Sequence, residues 1–334
     1  MVDYLQVAQS GISMLITILI GYFVNKFKLM DYKAVDHINV FLLKICYLPM
    51  IMRVIAVNDI RHLSIMPFVV GICGNLSTHI FFLIIFLFPF KKKFKMYLSS
   101  VLPSVYINYL IVGFPIFNAI WPENENVMIT VICLSNDLIS VPIYLFLSNI
   151  YNIRKENQKH KEAFDGQEVK FSFRIFLQIG KRVITNPIII GIVLGFVYSA
   201  TGWKLCTFLD SFLKSFGNSV LALCLYCVGG FLSQHSLIAC NWIHFVACLL
   251  VRHVVMPGFV ALYSYLFGLS GKLSRQCVIM SCLPSATASY ILSTNAGVGA
   301  GLSSTMIFWT TIFCVPFMLG WLFTFNALNI FPEQ

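Results

Sequence analysis

The chain has 334 residues, of which 58% are hydrophobic and only 11% charged, against roughly 25% charged in a soluble globular protein. With 31 Phe and 14 Tyr, too little polar surface remains to coat one or two water-soluble cores, so a soluble fold is excluded and most of the exterior must face lipid. The net charge of +10 is what Lys and Arg in cytoplasmic loops give a membrane protein, and it does not point to nucleic acid.

An all-α polytopic membrane protein is therefore expected. Ten apolar stretches are long enough to cross a bilayer: 6–25, 36–57, 64–90, 97–120, 127–150, 186–202, 208–232, 241–267, 276–296 and 303–327. The first is read as a retained helix rather than a cleaved leader, because acidic Asp3 precedes it and no basic segment does. In the third, Asn75 and His79 share a face at i, i+4; His79 reads first as a satisfied buried histidine and is kept as a proton-coupling candidate. The fourth contains Pro103, and the fifth carries Asn136 and Asp137 near its middle. An ionisable residue at that depth is costly and marks a functional site by default. Asp137 either lines a cavity or carries a proton, or it pairs with Arg252 or Lys44.

Between the fifth and sixth stretches, Tyr151 to Lys170 is polar and reads as a linker, and Phe173 to Val183 interleaves apolar residues with Arg174, Lys181 and Arg182 like a helix lying on the membrane surface. In the seventh, Asp210 and Lys214 at i, i+4 suggest a local ion pair. Cys224 and Cys227 read as small apolar residues, since 11 cysteines scattered through apolar runs imply neither a disulfide framework nor a zinc site. The eighth holds Arg252 and His253, the ninth Pro284. Gly297 to Gly301 lacks the Lys and hydroxyl of a phosphate loop and reads as a turn.

Lys26, Lys28, Lys33, Lys91, Lys92, Lys93, Lys95 and the basic residues from Arg154 to Arg182 fall on one side, fifteen in all. Arg53, Arg61, Lys204, Lys272 and Arg275 fall on the other, with the acidic Glu123 and Glu125 loop. Both termini are accordingly expected on the non-cytoplasmic side, with plasma membrane and endoplasmic reticulum not distinguished.

The fourth and ninth stretches are similar. Ser100 to Tyr109 and Ser281 to Tyr290 both read S-x-L-P-S-x-x-x-x-Y, supported by Ile18 to Gly21 beside Ile192 to Gly195 and by Val141-Pro142 beside Val315-Pro316. The halves are 1–150 and 186–334, joined by 151–185. Five spans per half is odd, so the copies enter the membrane from opposite sides as an inverted repeat. A proline within each matched span breaks it, and the freed backbone groups are tolerated only where they line a cavity or are re-bonded by polar neighbours. Ser104, Asn108, Ser285, Thr287 and Ser289 stand beside the breaks. Each break also exposes a helix N-terminus, which favours an anionic group. No nucleotide-binding, zincin or hydrolase motif is present, so neither catalysis nor a cofactor or metal is expected.

These residues resemble the auxin efflux carrier family of membrane transport proteins. The resemblance rests on Gly21-Tyr22 to Leu29-Met30, Tyr47-Leu48-Pro49, Gly113-Phe114-Pro115, Asn186-Pro187-Ile188 to Gly191, and Leu283-Pro284-Ser285 through Tyr290. It implies ten helices in a scaffold and a transport part, with the fourth and ninth spans crossing at Pro103 and Pro284 and substrate bound at the crossing. It also implies organic anions such as indole-3-acetic acid or small dicarboxylates. Asn136 falls where plant carriers place an amide in the fifth span. Ser104 stands where those carriers often have Asn, and the central loop is shorter than in their plasma-membrane members. The expected substrate-binding set is Pro103, Ser104, Asn108, Asn136, Pro284, Ser285 and Tyr290, with Asp137 and His79 for proton coupling. The function expected is secondary transport of a small organic anion by alternating access, with a homodimer left open. The competing readings are a sodium-coupled symporter of the bile-acid type and a membrane receptor or sensor that does not translocate.

Overall fold

The computed structural model describes residues 4–58, 63–90, 92–122, 125–162 and 172–332. Asp3, Arg61, Lys91, Glu123 and Lys170, all used above, lie outside the described residues. Every regular element among the described residues is helical, as the composition requires. In order they are α1 (Tyr4–Lys26), α2 (Tyr32–Phe41 through Leu42–Cys46 to Tyr47–Ala56), α3 (Met66–Ile85), α4 (Lys93–Val105) and α5 (Tyr109–Gly113 into Phe114–Ile120). Then follow α6 (Val127–Ser135 through Asn136–Ser140 to Val141–Glu162), α7 (Arg174–Ile184), α8 (Pro187–Ala200) and α9 (Thr207–Ser233). The last are α10 (Trp242–Leu250 through Val251–Val255 to Met256–Leu266), α11 (Gly271–Ser281), α12 (Thr287–Asn295) and α13 (Ala300–Ala327).

Seven of these, α1, α2, α3, α6, α9, α10 and α13, are long and apolar enough to cross a membrane. The other three expected spans are interrupted or short. The fourth is split into α4 and α5, and the ninth into α11 and α12. The sixth is α8 alone, 14 residues beginning after a 57° bend from α7. That bend is encoded locally: the Asn186 side chain accepts from Ile188 N at 3.0 Å, and Pro187 occupies the first helical position, so a new helix starts here rather than α7 continuing. None of α7 is buried, as expected of a helix on a surface. The segment read as a linker begins in helix, because α6 runs on to Glu162 through Arg, Lys, Glu and Gln, which are good helix formers with no Gly or Pro among them.

Four five-residue turns are widened to π geometry: Leu42–Cys46, Tyr109–Gly113, Asn136–Ser140 and Val251–Val255. Each is followed within three residues by a proline, Pro49, Pro115, Pro142 and Pro257. A helical proline donates nothing and its ring pushes on the carbonyl four residues back. That carbonyl belongs to Ile45, Ile111, Leu138 and His253, each inside its π turn, so the widening is the relief of one clash per helix. Pro316 in α13 produces no such turn.

The helices pack as two groups. On α1 the buried residues Val7, Gly11, Met14, Ile18 and Gly21 form one stripe, while Ile12, Ile16, Leu19 and Phe23 are exposed. The stripe faces α9 so closely that a Cβ on Gly21 would meet the Tyr226 carbonyl and one on Gly229 the Ile18 carbonyl. Gly191 and Gly195 bring α8 against the α2 backbone at Leu48 and Met52 in the same way. Small residues that let backbones touch are the usual adhesive between helices in lipid. An ion pair closes this group: Arg53 Nε donates to Asp210 Oδ1 at 2.7 Å. The local Asp210 to Lys214 pair expected from spacing is not formed, because Arg53 on the packed face of α2 offers the carboxylate a planar guanidinium and the Lys214 side chain points out, exposed. The second group is α3, α4, α6, α10, α11, α12 and α13.

The α1 to α9 contact gives a direct test. Gly229→Ala should overpack the backbone contact and destabilise by about 1–3 kcal/mol, lowering the thermal midpoint of the purified protein. Gly258→Ala, with nothing within 4 Å of the new methyl, should leave it unchanged or raise it.

Candidate functional site

Pro103 lies in the last turn of α4, and the chain leaves the helix at Tyr106, which is extended (φ −79°, ψ 110°). α11 stops at Ser281, Pro284 disfavours helix at Leu283 before it, and the chain re-enters helix only after extended Ala286 (φ −69°, ψ 140°). The two extended stretches meet. Ile107 and Ser285 form an antiparallel bridge, in which Asn108 N donates to the Pro284 carbonyl at 2.8 Å and Ala286 N to the Tyr106 carbonyl at 2.9 Å. Backbone that would be orphaned in an apolar interior is thus re-paired strand to strand.

Side chains complete the pairing. Ser285 N donates to Thr310 Oγ1 at 3.0 Å, and Ser285 Oγ donates to the Pro103 carbonyl. Arg252, fully buried, donates from Nη1 to the Ser104 carbonyl at 3.2 Å and from Nη2 to the Leu283 carbonyl. One guanidinium therefore spans the ends of both broken helices, where the carbonyls carry the negative end of the helix dipole. Its planar fork can do this, whereas an ammonium would serve one carbonyl at a time.

Asp137 is buried and accepts from the Tyr106 hydroxyl at 3.0 Å and the Tyr109 hydroxyl at 2.8 Å. It pairs with neither Arg252, which is occupied by carbonyls, nor Lys44, which is exposed. The two phenols flank the Ile107 to Asn108 break, so the only acid in the middle of a span is tied to one of the crossing strands. A carboxyl held this way can carry charge with two donors in place or accept a proton. Both Asp137 and Arg252 sit in the π turns described above.

Of the residues expected to bind substrate, Pro103, Ser104, Asn108, Pro284 and Ser285 are brought together at the crossing and buried there. Asn136 is fully buried one residue from Asp137; its amide nitrogen donates to the Cys133 carbonyl at 3.0 Å, and its Oδ1 accepts nothing among the described residues. Tyr290 is placed apart from this set. Its ring packs edge-on against Phe231 and His235 at the end of α9, with centroids 4.9 and 4.6 Å away. The matched Tyr109 instead serves Asp137, so the two repeat-related tyrosines do different work. His79 is buried, with Nδ1 2.8 Å from the Tyr97 hydroxyl, on the flank of α4. Its neighbour Asn75 donates to Ser135 Oγ at 2.8 Å.

The sequence did not point to Tyr106 and Tyr109 as partners of Asp137, and for Arg252 it offered an acid, Asp137, rather than the carbonyls it meets. A usable signal was present: a phenol in an apolar span needs an acceptor, and one in-span carboxylate was available. No comparable signal pointed Arg252 to backbone carbonyls.

A family model described as membrane transport protein matches residues 7–322. Among curated proteins, the chain is similar to auxin efflux carrier component 8 of Arabidopsis thaliana, 24% identical over 255 residues, which cover 67% of this chain and 68% of that one. It is also similar to auxin efflux carrier component 5 of the same plant, 20% identical over 234 residues, covering 64% and 66%. The chain thus spans about two thirds of the length of each relative. With nearly its whole length matched and a bundle of apolar helices to match, it is an integral, multi-pass membrane protein that belongs to the auxin efflux carrier family of membrane transport proteins.

Proposed function

We propose that the protein is a secondary transporter that moves a small organic anion by alternating access, with the substrate held where the two broken helices cross. The observation that carries this reading is the buried antiparallel exchange between Tyr106–Asn108 and Pro284–Ala286. Directly beyond it, α5 and α12 begin, and neither start is capped by a side chain. Two uncapped helix N-termini at one buried point offer free N–H groups and partial positive charge, which suits a carboxylate. Asn136, with an unpartnered amide oxygen beside them, suits a substrate donor such as an indole N–H or a hydroxyl.

The same reading includes a ten-span inverted repeat, which the helix contacts favour. α1 packs on α9 as α8 packs on α2, and α4 on α13 as α11 on α6, which is the pairing a pseudo-two-fold axis would impose on spans one to five and six to ten. The relatives named as auxin efflux carriers favour an auxin-like indole acid or a small carboxylate as cargo. In this reading both termini lie on the non-cytoplasmic side, and Asp137 is the group that takes up and releases the coupling proton.

Pro103→Ala and Pro284→Ala should each lower uptake of labelled substrate in proteoliposomes by tenfold or more while insertion and purification stay normal; full activity in both variants would sink the crossover site. Asp137→Asn should flatten the pH profile of uptake, and an unchanged profile would remove the proton from Asp137. Arg252→Gln leaves two carbonyls without their charged donor. At about 1.5–3 kcal/mol for each hydrogen bond to a charged group, it should lower the thermal midpoint by more than any surface charge removal, and Arg252→Lys should restore only part of the loss.

A further inference from the structure

Away from the crossing, at the end of the bundle that carries Lys92, Lys93 and Lys95, a cavity of about 310 Å³ opens among Lys92, Lys95, Ser99, Cys240, His244 and Gly299. No Asp or Glu is among its lining residues. Three helices begin at its rim: α4 at Lys93, α10 at Trp242 and α13 at Ala300. Asn241 caps α10, accepting from Ile243 N and His244 N, but no side chain caps α4 or α13. The starts of α4 and α13 are held together by Gly299, whose φ is +79° and where a Cβ would stand 2.7 Å from Ser99 Cα. The His244 ring is fixed by Ser100, with Nε2 2.6 Å from Oγ. Lys92 and Lys95 are both exposed, so their ammonium groups can swing over the opening.

Two ammonium groups, the two uncapped helix starts of α4 and α13, and no carboxylate among the lining residues make a concavity of one sign. Two cationic side chains over one opening suit a compact anion that can carry two charges, as phosphate does, better than a singly charged carboxylate. We propose that this cavity binds a phosphate group, carried either by an anionic lipid head group or by free phosphate. Basic pockets between membrane helices at the bilayer edge are the usual seats of such head groups. The helices that line it, α4, α10 and α13, pack on one another within a single group. A bound phosphate therefore travels with that group and is a resident ligand rather than cargo, so the site stands whether or not the transport reading holds.

The test is thermal unfolding of the purified full-length protein in uncharged detergent at low salt. The additions are inorganic phosphate, dihexanoyl phosphatidic acid, the neutral dihexanoylglycerol, and sodium chloride at matched ionic strength. A saturable rise of a few degrees is expected with the phosphate-bearing additions and not with the other two. A rise with inorganic phosphate identifies free phosphate as sufficient, whereas a rise with the lipid alone identifies the head group. The variant Lys92→Asn/Lys95→Gln should weaken the effect at least tenfold. Asn is chosen because Lys92 has a φ of +55°, which Asn tolerates. No rise with either phosphate compound, an equal rise with sodium chloride, or an undiminished rise in the double variant would overturn the site. Should that variant fold poorly, protection of Lys92 and Lys95 from acetylation by phosphate, read by mass spectrometry on the unmodified protein, decides the matter, and absence of protection rejects it.

Discussion

An interrupted helix in an apolar interior has to find partners for every N–H and C=O it frees, because no water is there to supply them. This protein meets the requirement twice at one place. Each break supplies the other's hydrogen bonds, Asn108 N to the Pro284 carbonyl and Ala286 N to the Tyr106 carbonyl, and Arg252 covers the two carbonyls that the strands leave over, those of Ser104 and Leu283. Neither break is tolerable without the other. The consequence is architectural: α4, α5, α11 and α12 have to meet at their broken ends, and α10 has to run past them to deliver the guanidinium.

Prolines set the fine placement around that point. By crowding the carbonyl four residues back, Pro142 and Pro257 open π turns that contain Asp137 and Arg252. A π turn adds a residue without shifting the helix ends, so it rotates the side chains before it relative to those after it. The same device therefore places the two opposite charges of the interior, and it keeps them with different partners: phenol hydroxyls for Asp137, backbone carbonyls for Arg252. Asp137 accepts from neutral hydroxyls and Arg252 donates to neutral carbonyls, and neither is met by a countercharge. Such partners hold a charge in place while leaving it free to act on a third party, which a direct ion pair would not.

Much of this was legible in the chain. Composition alone placed it in a membrane, the matched S-x-L-P-S-x-x-x-x-Y segments located both breaks, and the one acid near the middle of an expected span singled out Asp137. Three things were not legible, each for a physical reason. Apolar length cannot distinguish a continuous helix from one interrupted by a few non-helical residues, so of the ten stretches seven are membrane-length helices among the described residues and the fourth and ninth are interrupted at Tyr106–Asn108 and Cys282–Ala286. Spacing on one helix suggested Asp210 with Lys214, but a carboxylate takes the better-oriented cation, and Arg53 lies on a neighbouring helix. The sequence also put Tyr290 in the substrate-binding set and left its repeat-related partner Tyr109 without a role. Their surroundings differ, one having Asp137 within reach and the other Phe231 and His235.

The distribution of strong contacts bears on how the two groups of helices could move. Within the first group, α1 and α9 touch backbone to backbone at glycines, and Arg53 grips Asp210. Within the second, Lys272 reaches Glu125, Arg275 ties down Asn326 and the carbonyl of Phe331, and Asn75 holds Ser135. Along the seam the contacts include the Tyr290 ring against Phe231 and His235, a long Ser10 Oγ to Pro115 carbonyl bond at 3.5 Å, and Gly11 of α1 against the Val315 side chain of α13. Rings and apolar side chains can re-pack, whereas ion pairs and backbone contacts at glycines are lost when helices slide. A displacement of one group against the other would leave every ion pair named here intact and would break mainly contacts that can re-form one step along. Rigid groups joined by a yielding seam are what alternating access demands of a scaffold. The Ile107 to Ser285 crossing joins the α11 to α12 break of the second group to the α4 to α5 break, and α5 packs on α1 and α9 as well, so the crossing stands beside the seam along which such a displacement would run.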